Sequence, residues 1–178
     1  MSETYGPLEA LIGTWKGDKG TDIAPDPDGK EENRFRETLV FEPAGEAVNA
    51  EEQSLMVLRY HQSVERIDDG AVIHDQTGYW MWDRNTGDIF QSVAIPRAVC
   101  VLAKGKAQTA EDGGMTIGVA AAQADIVQSP FMLEKAKTTS FTHTMTLRDG
   151  QLHYFETTMV DIYGSAFEHT DTNTLTKV

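Results

Sequence analysis

The chain has 178 residues, enough for one domain that encloses a core or a cavity, and its 28 acidic against 15 basic side chains leave a net charge of −13. That field repels phosphate backbones and anionic lipid surfaces, and Lys and Arg form no stripe, so neither nucleic acid nor a membrane surface is an expected partner. A single cysteine, Cys100, excludes an intrachain disulfide framework and a cysteine-based zinc site.

The opening Met1-Ser2-Glu3-Thr4 has neither a basic nor an apolar leader region, and no apolar run approaches the roughly 18 to 20 residues of a membrane span. A cytoplasmic chain forming one domain over residues 1–178 is the expectation. A short apolar, helix-like piece (Leu8, Leu11, Ile12) then leads into Gly13-Thr14-Trp15. There the glycine permits a sharp turn, and the tryptophan offers an aromatic body to plug the closed end of a barrel. Its indole N–H needs one partner.

From here most of the sequence alternates with period two. Candidate strands span 14–23, 33–42, 52–67, 71–83, 87–95, 97–107, 114–122, 138–148, 151–163 and 166–177. Turn chemistry separates them at Pro43-Ala44-Gly45, Asp68-Asp69-Gly70, Asn85-Thr86-Gly87, Asp112-Gly113-Gly114 and Asp149-Gly150. Residues 24–32, polar and proline-containing, read as a loop at a barrel mouth. Within 123–137, Ser129 as N-cap and Pro130 as first helical residue predict one or two helical turns. The pattern predicts an all-β, up-and-down antiparallel barrel of about ten strands with one or two short helices.

Five histidines are the candidates for chemistry: His61, His74, His143, His153 and His169. None has the spacing of a local zinc motif. On the last strand Phe167, His169, Asp171, Asn173 and Leu175 share a face, while Glu168 and a row of threonines take the other. The first face is the expected interior, which makes His169, Asp171 and Asn173 a polar ladder inside the barrel. Alternate residues lie roughly 6.6 to 6.8 Å apart along a strand, so Asp171 need not bond His169 directly, and a neighbouring strand or a ligand is its expected partner. A buried histidine satisfied by a backbone or hydroxyl partner is the competing reading. His143 shares a face with Phe141, Met145 and Leu147, and is read first as a satisfied core histidine and second as a pocket residue. Tyr79-Trp80-Met81-Trp82 reads as core packing, and Cys100 as an inert buried thiol. The chain has no G-x-S-x-G elbow, no P-loop and no G-x-G-x-x-G.

Three motifs together resemble the nitrobindin family of haem-binding β-barrels. Leu8-Glu9-Ala10-Leu11-Ile12-Gly13-Thr14-Trp15-Lys16-Gly17 is similar to its L-x-x-L-x-G-x-W-x-G. Tyr60-His61-Gln62 followed by His74-Asp75-Gln76-Thr77-Gly78-Tyr79-Trp80 resembles its Y-x-Q and H-x-E-T-G-[FY]. Phe167-Glu168-His169 falls where the family places a histidine on its last strand. The resemblance implies ferric haem b at the barrel mouth, with His169 as axial ligand through Nε2 and Ile95 on the distal wall. It also implies nitric oxide binding and a peroxynitrite isomerase activity, which turns peroxynitrite into nitrate. The chain departs from the family pattern in three places. Ala94-Ile95-Pro96 stands for Ala-His-Pro, Gly17-Asp18-Lys19-Gly20 for G-x-G-x-G, and Asp171 with Asn173 for apolar residues.

Two other readings stay open. One is a cofactor-free carrier or sensor of a lipid-like or polar small molecule, with His169, Asp171 and His143 as anchors and Phe167 and Asn173 in the same pocket. The Arg-x-Tyr of fatty-acid carriers is missing near the C-terminus, so a fatty acid is not the favoured cargo. The other is an enzyme with His169 as general base and Asp171 as its orienter. The partner is a small-molecule ligand in every case, and a homodimer is compatible with the sequence.

Overall fold

A computed structural model describes residues 4–111 and 113–178; Met1–Glu3, where the leader reading begins, and Asp112 of the Asp112-Gly113-Gly114 turn lie outside the described residues. A 3-10 helix (Gly6–Leu11) opens the chain. It is followed by β1 (Gly13–Asp26), β2 (Gly29–Asn49), β3 (Gln53–Arg66), β4 (Val72–Asp83), β5 (Asp88–Ile95), β6 (Val99–Thr109) and β7 (Met115–Ala122). A 3-10 turn (Gln123–Asp125), the short β8 (Ile126–Gln128) and α1 (Pro130–Lys135) come next, then β9 (Ala136–Arg148), β10 (Gln151–Ile162) and β11 (Ser165–Lys177).

Neighbouring strands pair antiparallel, β1 pairs with β11, β7 with β9, and β5 with β6, so ten strands close into one barrel and no long edge is left open. The eleventh strand, β8, only extends the sheet beside the first residues of β6. The all-β barrel with short helices read from the sequence is the fold observed. Ser129 caps α1 by accepting from the Met132 N–H at 3.3 Å, and Pro130 occupies its first turn.

Two expected turns are instead strand. Residues 24–32 are a continuation of β1 and β2, paired through Pro25–Lys30 and Asp26–Gly29. Only Pro27 and Asp28 turn, with the Asp26 carboxylate accepting the Asp28 N–H at 2.9 Å. Likewise Pro43-Ala44-Gly45 is a bulge inside β2, and the true turn falls at Ala50–Glu52. Both prolines sit where β1 and β2 outrun a neighbour, because the β1–β11 ladder ends at Ile23 and the β1–β2 ladder at Phe41. A missing N–H costs no ladder bond there.

One end of the barrel is sealed by hydrocarbon. Gly13 turns the chain at φ +128°, and the indole N–H of Trp15 donates to the Leu11 carbonyl at 2.7 Å. The helix residues Leu8 and Leu11 are fully buried, as are Leu58, Ile89, Met145, Leu152 and Leu175 from the strands around them. Each such side chain contributes about 1.5–3 kcal/mol by leaving water. Trp15 is the plug anticipated from the sequence.

Candidate functional site

Above this plug the interior turns polar. The sequence places Glu37 between Phe35 and Leu39, Gln62 between Tyr60 and Val64, Gln91 between Ile89 and Val93, and Glu156 two residues after Tyr154. All four polar side chains are buried. Period-two geometry forces them inward with their apolar neighbours.

Glu37, Gln62 and Gln91 join into two clusters that cross the lumen. In the first, Glu37 accepts from Gln62 Nε2 at 2.7 Å, from Asn173 Nδ2 at 2.9 Å and from the Tyr154 hydroxyl at 3.2 Å. Burial still outweighs these bonds and pushes the Glu37 carboxyl up to about 7. In the second, Gln76 Nε2 donates to the Tyr60 hydroxyl at 2.9 Å, and the Gln91 side-chain oxygen bonds His143 Nδ1 at 3.1 Å. The His143 ring makes edge contacts with Trp80 and Tyr154, both at 5.6 Å between centroids. Its Nε2 is the buried side-chain polar atom left without a partner among the described residues. Burial holds its pKa down to about 3, so the ring is neutral.

The mouth lies one layer further out. Alternation continued from Trp15 places residues 17, 19, 21 and 23 inside, but β1 carries one extra residue between Gly17 and Gly20. This bulge resets the parity, so that Gly20 and Asp22 face inward. A Cβ on Gly20 would collide with the Phe35 ring, which explains the small residue there. Asp22 thereby meets the inward face of β11. Its Oδ1 lies 2.7 Å from His169 Nε2, and Asn33 Nδ2 donates to its Oδ2 at 3.0 Å. Asp171, directly opposite Asp22 in the β1–β11 ladder, brings its Oδ2 to 3.4 Å from the same nitrogen. Burial lowers the basicity of the His169 ring, but the bond to Asp22 and the charges of Asp171 and Asp22 outweigh it, and its pKa is raised. Burial also pushes the Asp171 carboxyl up to about 6, against the attraction of His169.

The inward face predicted for β11 is therefore the observed one, but its residues divide. His169 and Asp171 share the mouth, Asn173 belongs to the Glu37 cluster, and His143 sits with Gln91. Ile95 packs against the edge of the core and Phe167 is half-buried near the start of β11. The carboxylate nearest His169 is Asp22, which the sequence reading does not single out, because the bulge hides its orientation. Cys100 is exposed, not buried, since it lies on the outward face between Val99 and Val101. His61 pairs outside the barrel with Asp75 at 2.9 Å.

The family model for the THAP4-like, heme-binding beta-barrel domain matches residues 4–177. The chain belongs to this family. The nitrobindin-like resemblance read from its motifs is thus borne out. Among solved structures it is similar to Rv2717c from M. tuberculosis, whose crystal structure covers 99% of both chains at 19% identity with a TM-score of 0.71, a likeness of fold. No curated protein matches the sequence. No helix among the described residues is long and apolar enough to cross a membrane.

Membership in a family described as heme-binding raises the question of whether these residues fit an iron porphyrin. His169 Nε2 would have to present a bare lone pair to the iron. Here it is enclosed by Asp22 and Asp171, whose charges favour a proton on it. Beneath it, Tyr154–Glu37 and His143–Gln91 bonds span the lumen where a porphyrin needs an apolar slot. The residues as arranged do not fit haem held by His169.

Proposed function

We propose that this chain is a non-haem member of its family, a carrier or sensor barrel whose mouth recognises a small guest bearing positive charge or strong hydrogen-bond donors. The observation that carries this reading is the His169 imidazole held between the Asp22 and Asp171 carboxylates. Four carboxyl groups, those of Asp22, Glu37, Glu156 and Asp171, are set on the inward faces of β1, β2, β10 and β11. Where ionised they favour cations and disfavour anions such as peroxynitrite, and where burial keeps them protonated, as at Glu37 and Glu156, they offer hydrogen bonds instead. The opposite wall is apolar, formed by Val93, Val101, Ala121 and Phe141. The barrel thus offers a guest one polar and one hydrocarbon face.

A second reading is favoured by the family match and by the place of His169 on the last strand. In it, His169 would hold a haem b and Ile95 would lie on the wall facing it, and such a group, when bound, would supply nitric oxide binding and peroxynitrite isomerisation. Titration of the purified protein with hemin separates the two. The first reading predicts a broad, unsaturable Soret change that His169→Ala leaves unaltered. A saturable one-to-one Soret band that disappears in His169→Ala establishes the second and overturns the first.

A further inference from the structure

We propose that Asp22, His169 and Asp171 form a binding site for a divalent first-row transition-metal ion of the zinc or manganese class. The proposal rests on the reading that His169 belongs to its carboxylates and not to haem. One imidazole nitrogen and one oxygen from each carboxylate lie within 4.8 Å of one another. Two of the three separations are 2.7 and 3.4 Å. An ion with ligand bonds of about 2.0–2.2 Å sets edges of roughly 3.0–3.5 Å between its ligand atoms, so shifts of a few tenths of an ångström along those two edges bring them to ligating separations. Mixed imidazole and carboxylate donors suit zinc and manganese, and two carboxylates balance the charge of a dication.

The residues behind the ligands are already braced. Asn33 Nδ2 holds the second oxygen of Asp22 at 3.0 Å, and Arg66 Nη1 donates to the Asn33 side-chain oxygen at 3.3 Å. Asp69 in turn grips Arg66 through Nε and Nη2 at 3.0 and 2.8 Å. Such outer contacts fix a carboxylate's orientation before the ion arrives.

An independent feature points to a missing positive partner. Glu156 faces Asp171 directly across the β10–β11 ladder and is 8% exposed, yet its carboxyl takes part in no hydrogen bond among the described residues. Its Oε2 lies 3.5 Å from His143 Nδ1, and that nitrogen bonds the Gln91 oxygen. A buried carboxyl without a donor is costly unless a proton or a cation compensates it. An ion on Asp171 places a positive charge next to the strand position of Glu156.

The test is calorimetric titration of the chelator-treated, full-length protein with ZnCl2 and with MnCl2, alongside loss of the free Mn2+ signal in electron paramagnetic resonance. We expect one ion per chain, with affinity reduced at least 10-fold by Asp22→Asn and by His169→Gln. Asn33→Ala, which touches no ligand atom of the ion, is expected to weaken binding by about 10-fold while the protein stays folded by circular dichroism. Binding of neither ion by the wild type overturns the site, as does binding that all three variants leave unchanged. A wild type that takes neither ion and gives no His169-dependent Soret band overturns the metal site alone. A His169-dependent Soret band overturns the reading beneath it.

Discussion

The two ends of this barrel are built from the same alternating strands and serve opposite ends. At the closed end the inward positions hold Trp15, Leu58, Met145, Leu152 and Leu175, and stability comes from hydrocarbon removed from water. At the mouth the same strands turn Asp22, His169, Asp171 and Glu156 inward, where burial costs free energy unless each group finds a partner. One end holds the fold closed, and the other gathers buried ionisable groups against one another. The difference teaches that strand periodicity fixes which way a side chain points, while the identity of the residue decides whether the position stabilises or binds.

The contrast predicts unequal responses to substitution. Trp15→Ala removes the plug and its bond to the Leu11 carbonyl, and is expected to lower unfolding free energy by about 3–5 kcal/mol in urea denaturation. An equally large loss from Asp171→Ala would erase the distinction between the two ends.

Next in size is a pH effect from the polar layer. The Glu37 carboxyl ionises near 7 in the folded chain against an ordinary value of 4.5. Between those pH values the folded chain holds a proton that the unfolded chain has released, so stability falls as pH rises through the window. The loss for this group is roughly 3 kcal/mol. Glu156, which burial also raises, adds an effect of the same sign, while His143 and His74, whose pKa burial lowers from 6.5, oppose it only below that value. Thermal melts at pH 5 and 8 are therefore expected to show the higher midpoint at pH 5, and Glu37→Gln to flatten the dependence. A midpoint that climbs from pH 5 to 8 would contradict the assignment.

The smallest change concerns α1, which is attached at the mouth and carries no fully buried side chain. Ser129→Ala is expected to cost about 1 kcal/mol through the lost cap on Met132, with guest or ion affinity unaffected.

How much of this was legible depended on whether a strand ran without interruption. β11 alternates cleanly, so the shared inward face of His169, Asp171 and Asn173 follows from spacing alone. Glu37, Gln62, Gln91 and Glu156 are equally readable as polar residues on otherwise apolar faces, a pattern that marks inward polar positions but not which partners they meet across the lumen. Asp22 was not readable by alternation, because one extra residue between Gly17 and Gly20 inverts the parity of everything after it. The glycines mark the place of that bulge without stating its consequence. The same rule hid the long β1–β2 hairpin, since prolines at positions 25 and 43 signal a turn unless the strand edge beside them is free.

The central claim is that Asp22 and Asp171 hold His169 away from haem and reserve the mouth for a positive guest. Hemin titration of the Asp22→Ala/Asp171→Ala double variant beside the wild type tests it most directly. The account predicts no saturable Soret band in the wild type and a gain of His169-dependent hemin binding once both carboxylates are gone, held short of full occupancy by the Tyr154–Glu37 and His143–Gln91 bonds that still span the lumen. A wild type that already saturates at one hemin per chain through His169, with no gain in the double variant, would contradict it.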